Sequence, residues 1–102
     1  MTELIERHRV ELTELCRIHH VKTFEVFGSA ADGSFDPSKS DLDFLVDFEP
    51  MPPSDHSNGY FGLWFALEDL FDRKVDLVET LAVTNPFFLQ SIRPNRRVLY
   101  AA

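Results

Sequence analysis

With 102 residues, 44% of them apolar and 10 of them phenylalanine, the chain has material for one hydrophobic core, so a single domain over residues 1–102 is expected. A net charge of −7 argues against binding nucleic acid through a broad basic face, though not against a nucleotide held through a metal. The single Cys16 excludes an internal disulfide and fits a reducing cytoplasm; early charges exclude a signal peptide, and no uncharged run is long enough to span a bilayer.

Thr2 reads as a helix N-cap, with Glu3 and Glu6 in the first turn where the helix dipole favours acids. Ile5, Leu12, Leu15, Cys16 and His19 recur at helical spacing and predict one amphipathic helix ending near His20. Cys16 on that face is a buried thiol rather than a reactive one. Val21 to Phe27 reads as a strand, followed by a Gly28–Gly33 turn that can open a short helix. Residues 34–39, containing Asp36-Pro37, are surface turn chemistry. A second strand runs from Asp41 to Phe48, with Leu42, Phe44, Val46 and Phe48 on one face and Asp41, Asp43 and Asp47 on the other.

Pro50, Pro52, Pro53, Ser54, Asp55 and Ser57 then predict a mobile connector. Helical periodicity returns at Gly59, with Tyr60, Leu63, Trp64, Leu67, Leu70 and Phe71 on one stripe. Val75 to Glu79 is a short strand, with Asp76 facing away from Val75 and Leu77. Asn85-Pro86 opens a short helix that stops by Arg93, before Pro94, and Arg97 to Tyr100 is a terminal strand. The order α-β-β-α-β-α-β gives an α/β or α+β architecture, a small mixed sheet with helices packed on it.

Two carboxylates two residues apart on a strand project side by side, their Cβ atoms roughly 7 Å apart. Left unpartnered, one would be driven toward its protonated form. A hard divalent cation removes that conflict, and Mg²⁺ is the usual one beside phosphates, so Asp41 and Asp43 look like half of a metal site. Gly28 and Ser29, directly after a strand, offer backbone N–H groups and a hydroxyl to an anion, and glycine allows close approach of a phosphate. Taken separately, a Gly-Ser turn is usually just a turn and a spaced acid pair just a solvated face. Together on adjacent strands they are the two halves of a nucleotide–metal site.

Gly28-Ser29-x-Ala31-x-Gly33 followed by Ser40-Asp41-x-Asp43-x-x-Val46 resembles the signature of the minimal nucleotidyltransferases, small members of the DNA polymerase β-like superfamily. The resemblance extends through Leu67 to Leu70 and on to Arg73 to Val78. It implies the polymerase β-like nucleotidyltransferase fold and a third carboxylate from a later strand, here Asp76. By the same resemblance, Asp41, Asp43 and Asp76 form a two-metal Mg²⁺ site. Gly28, Ser29, Gly33 and Ser40 form the nucleotide-binding turn and its continuation, and Asp76 assists deprotonation of the attacking hydroxyl. ATP is the implied donor. The implied partner is a HEPN-type toxin, one of whose tyrosines receives AMP, which makes this chain the antitoxin.

The chain departs from the pattern at Asp32, where family members commonly carry Arg. An acid there removes a phosphate contact and costs roughly 1 kcal/mol or more near the triphosphate, with Lys39 the nearest compensation across the loop. That departure keeps a rival in view: a module of the same ancestry that neutralises its partner by contact, with catalysis weak or lost. An adenylyltransferase acting on small sugars fits poorly, because nothing in 102 residues builds a second half for a sugar pocket.

The remaining polar residues are set aside as ordinary. Neighbouring His19 and His20 point about 100° apart on a helix and make no joint metal site. His8 and His56 are expected as solvated surface residues. Trp64 and its aromatic neighbours suit the core, with Phe61 and Phe65 off the stripe as a possible protein interface. Arg93, Arg96 and Arg97 read as a solvated basic helix end.

Overall fold

The computed structural model describes residues 3–33, 35, 36, 38–80, 87, 90 and 96–102, with side chains for all of these but residue 32. Helices α1 (Glu3–Arg7) and α2 (Arg9–Ile18) lead into strand β1 (Val21–Phe27). A single helical turn, α3 (Ser29–Asp32), precedes β2 (Leu42–Phe48). The long helix α4 (Pro53–Phe71), strand β3 (Val75–Glu79) and strand β4 (Arg97–Ala101) follow.

The four strands form one mixed sheet in the order β3-β2-β1-β4. Strand β1 pairs antiparallel with β2 and with β4, whereas β2 and β3 run parallel. A parallel pair needs a crossover too long for a hairpin, and α4 supplies it. The sheet's helix-covered face is strictly apolar: Phe24, Val26, Phe44 and Val46 are fully buried against Leu12 and Cys16 of α2 and Leu63 and Leu67 of α4. Burial pushes the Cys16 thiol up to about 12, which makes it the inert core group expected from its position.

Three boundaries differ from the sequence expectation, each for a local reason. The first helix is interrupted at His8, whose φ and ψ of −108° and 20° lie outside helical geometry. His8 Nδ1 lies 2.9 Å from the Leu4 carbonyl, and the ring meets Phe71 edge-on at 5.4 Å, so this histidine is a packing residue and not a solvated one. Strand β2 begins at Leu42, leaving Asp41 exposed just ahead of it. The proline-rich connector is not a mobile link from Pro53 onward, because Pro53 occupies the first turn of α4 and the helix continues through Ser54, Asp55 and Ser57. Proline at that position gives up an N–H that has no intrahelical partner anyway.

His56 stays partly exposed, as expected of a surface residue, but it is not isolated: it lies edge-on to Phe48 at 5.3 Å and 2.8 Å from Glu79 Oε2. The His19–His20 reading is retained, since His19 Nδ1 turns back to the Leu15 carbonyl at 2.9 Å while His20 adopts a left-handed φ of 57° at the entry to β1. The Asp36 carboxylate accepts from the Ser38 N–H and hydroxyl, which confirms a turn there and holds its carboxyl below the usual range. The proposed N-cap at Thr2, Pro37, the helix from Asn85-Pro86 to Arg93, and the Arg93 member of the basic cluster lie outside the described residues. Arg96 of that cluster is engaged, with Nη2 2.6 Å from Glu25 Oε2. Among the described residues no helix is long and apolar enough to cross a membrane.

Candidate active site

The site is assembled at the end of the sheet where β1 finishes and β2 and β3 start. Side chains alternate along a strand, so with Leu42 and Phe44 turned into the core, Asp43 must point to the opposite face. The same rule turns Asp76 away from the core between buried Val75 and Leu77. Pairing register then brings the acids together: Asp43 stands opposite Asp76 across the parallel β2–β3 ladder and opposite Phe27 across the antiparallel β1–β2 ladder. Neighbouring strands lie about 4.8 Å apart, so Asp43 and Asp76 are closer than two acids spaced along one strand. Asp41 sits exposed at the mouth of β2, two residues upstream.

Electrostatics report the crowding. Partial burial, then the charge of Asp76, then that of Asp41 push the Asp43 carboxyl up to about 6. An acid held against two others in this way is poised to share a cation.

Phe27 leads directly to Gly28, which carries a φ of 72°. A Cβ on Gly28 would lie 2.5 Å from Asp43 Oδ2, so the carboxylate packs against the glycine Cα and no other residue fits there. The expected phosphate turn and the expected metal carboxylate are thus in direct contact. In α3 the first bond runs from the Ala31 N–H to the Gly28 carbonyl, and the amides of Ser29 and Ala30 precede it. Gly33 ends this turn with a φ of 88° and open space around its Cα, so its part is conformational.

Ser40 does not reach toward that turn in this state. Its Oγ accepts from the Asp36 N–H at 3.0 Å, and its own N–H donates to the Asp36 carbonyl at 2.8 Å. The side chain of Asp32 lies outside the described residues. Of the seven residues singled out for the site, Gly28, Asp43 and Asp76 therefore meet, Ser29 and Asp41 flank them, and Gly33 and Ser40 shape the intervening loop.

The donor set suits a hard divalent cation, since it consists of carboxylate oxygens with mutual repulsion to relieve. Among the described residues, no group of three His, Cys, Asp or Glu side chains already converges as a finished metal centre.

One set of residues was missed as a set. His56, Tyr60, Trp64 and Glu68 of α4 all bond to β3, the strand that carries Asp76. Tyr60 and Trp64 had been assigned to the apolar stripe and Glu68 to none. The available signal was four hydrogen-bonding side chains at strict four-residue spacing.

The match to the model of the nucleotidyltransferase domain covers residues 9–99 and takes in β1 to β3, the first part of β4 and every site residue above. The chain belongs to the nucleotidyltransferase-domain family. It is 37% identical over 90 residues to the protein named "Putative protein adenylyltransferase MJ0128" of Methanocaldococcus jannaschii, a match covering 88% of this chain and 85% of the relative. Its fold superposes on a minimal nucleotidyltransferase structure with a TM-score of 0.69, at 29% identity over 93% of this chain and 92% of that one. A second likeness, of fold alone at 17% identity and a TM-score of 0.65, is to a Shewanella oneidensis complex of a tri-AMPylated HEPN toxin with an MNT antitoxin, covering 95% of this chain and 72% of that one. The four-stranded mixed sheet with its helices is thus the minimal nucleotidyltransferase fold, and the chain is a nucleotidyltransferase.

Proposed function

We propose that residues 1–102 act as one Mg²⁺-dependent protein adenylyltransferase domain, which moves AMP from ATP to a tyrosine hydroxyl of a HEPN-type toxin and thereby serves as its antitoxin in the cytoplasm. The observation that carries this reading is the Asp43 carboxylate, packed on the Cα of Gly28 and in register with Asp76. A phosphate-binding turn and two carboxylates from different strands have one shared use, which is a nucleotide held through divalent metal. The named adenylyltransferase relative supports the reaction class, and the HEPN–MNT complex supports the kind of partner.

Asp41, Asp43 and Asp76 would hold Mg²⁺, which supplies neutralisation of the triphosphate charge when bound. Gly28 lets the backbone approach the terminal phosphates, and the Ser29 hydroxyl and amide hold them. Asp76, the more open of the paired acids, accepts the proton of the acceptor hydroxyl. The hydroxyl oxygen forms a bond to the α-phosphorus, the bond from that phosphorus to the bridging oxygen breaks, and pyrophosphate leaves. The shallow, exposed setting of Asp41 and Asp76 suits an acceptor presented by a partner protein.

The second reading, a binding module that silences its partner by contact, is favoured by Asp32 in place of the family's usual Arg. Incubation with α-labelled ATP, Mg²⁺ and the protein encoded next to this chain separates the two. Label on a partner tyrosine, lost in Asp41→Asn and in Asp43→Asn, is the expected result. Transfer that persists in both variants, or that never occurs while the partner is still neutralised, overturns the enzymatic reading.

A further inference from the structure

Among the described residues, strand β3 is an edge strand, paired with β2 on one side. Its outer edge would present bare N–H and C=O groups, which are costly when shielded from water and a template for wrong pairing when exposed. Here α4 covers that edge with side chains. Tyr60 Oη donates to the Leu77 carbonyl at 2.5 Å, Trp64 Nε1 donates to the Val75 carbonyl at 2.9 Å, and the Val75 N–H donates to Glu68 Oε2 at 3.0 Å. One step further along, His56 Nε2 lies 2.8 Å from Glu79 Oε2.

The spacing is commensurate. Four residues of α-helix rise about 6.0 Å, and two residues of strand rise about 6.6 Å. Steps from residue 56 to 60 to 64 on the helix therefore keep pace with steps from 79 to 77 to 75 on the strand. A slide of β3 by one residue would break every rung, because the outward carbonyls would turn inward. The contacted backbone belongs to Val75 and Leu77, the two neighbours of Asp76, while Asp76 itself stays in register with Asp43. The rungs are polar and directional, which apolar packing of Leu63 and Leu67 on the same helix is not.

We propose that Tyr60, Trp64 and Glu68 are positioning residues that fix the height of Asp76 opposite Asp43. This inference rests on the reading of the three acids as a metal and nucleotide site. The helix holds the third carboxylate at the height that its partners on β2 require, without touching the nucleotide.

Backbone-resolved NMR with Mn²⁺ as the probe tests this on the whole chain. In the wild type, Mn²⁺ is expected to broaden the amides around Asp41, Asp43 and Asp76 together. In Tyr60→Phe and Glu68→Leu, Mn²⁺ affinity should fall about 3- to 10-fold, and adding Asp76→Asn to either variant should lower it by less than Asp76→Asn lowers that of the wild type. The amides of residues 75 to 77 should exchange with solvent at least 10-fold faster. Glu68→Gln keeps an acceptor oxygen and should restore wild-type behaviour, and Tyr60→Phe keeps the ring, so the fold is retained in both. A loss of Mn²⁺ affinity on Asp76→Asn that is equal in the wild type and in both variants overturns the positioning role alone. A wild type in which Mn²⁺ reaches none of the three overturns the site reading and this inference with it.

Discussion

The two faces of the sheet are made from the same strands and are governed by opposite rules. On the helix-covered face Phe24 and Phe44 lie 4.8 Å apart, Phe44 and Phe71 6.0 Å apart, and every group there gains from being crowded. On the other face, at the β2 and β3 starts, Asp43 is held at a cost: partial burial first, then the charges of Asp76 and Asp41, raise its carboxyl. Residues 43 and 44 are neighbours, so one strand delivers stability to one side and stored repulsion to the other. The contrast supports the proposed site: a ligand of opposite charge would relieve the unfavourable cluster.

Neutralising one acid should separate the faces most sharply. Asp43→Asn is expected to lower AMP transfer at least about 1,000-fold while leaving the fold intact, measured as kcat/KM with the partner protein and checked by circular dichroism. Loss of less than about tenfold would place the reaction elsewhere. The mirror experiment is Phe44→Ala, which removes a fully buried ring and should destabilise the protein by about 3–5 kcal/mol in urea unfolding. Below its lowered midpoint that variant should bind ATP and Mg²⁺ close to normally, because the lost ring faces the core.

Gly28→Ala acts where the faces join and should have an intermediate effect. Its methyl group would sit 2.5 Å from Asp43 Oδ2 on a backbone whose φ of 72° disfavours side chains. A stability loss of about 1–2 kcal/mol and a rise in the ATP dissociation constant of about 10-fold or more are expected, read by thermal unfolding and calorimetric titration. Gly33→Ala should match that strain without the carboxylate clash, since nothing beyond its chain neighbours lies within 4 Å of where its Cβ would sit, and so should leave ATP affinity nearly unchanged. Equal losses of affinity in the two variants would separate the turn from the acids.

What was legible in the sequence follows the same division. Period-two alternation placed Leu42, Phe44 and Asp43 on their proper faces because burial enforces it, and the same rule placed Asp76. The opening of α4 was misread because proline and serine signal loops on average, whereas Pro53 in a first turn signals a helix start. The break at His8 left no mark in the apolar periodicity, which continues in phase on either side of it. Strand register was not legible at all: that Asp43 faces Asp76 depends on a parallel pairing closed by α4, a long-range fact that no local pattern encodes. The rungs from Tyr60, Trp64 and Glu68 were legible only as a four-residue spacing of polar side chains, since their partners are backbone groups of β3 that carry no sequence signature.

The smallest effect is a pH dependence that reads the cost of holding Asp43 half-buried beside Asp76 and Asp41. In metal-free protein the Asp43 carboxyl is raised from 3.8 to about 6, so between those values the folded state binds more protons than the unfolded chain. Stability from this group is therefore fully present below about pH 4, falls as pH rises toward 6, and is level above it. Because Asp43 is only partly buried, solvent screening trims the loss to about 1 kcal/mol. Asparagine at that position carries no such proton, so thermal unfolding in EDTA should show Asp43→Asn gaining on the wild type by that amount from pH 4 to 6.5, with Phe44→Ala keeping the wild-type slope. Parallel curves for wild type and Asp43→Asn would mean that neither burial nor the neighbouring acids raise the Asp43 carboxyl. A gap that opens in the stated window, and closes when Mg²⁺ is added, would tie the cost on one face of the sheet to the ligand that relieves it.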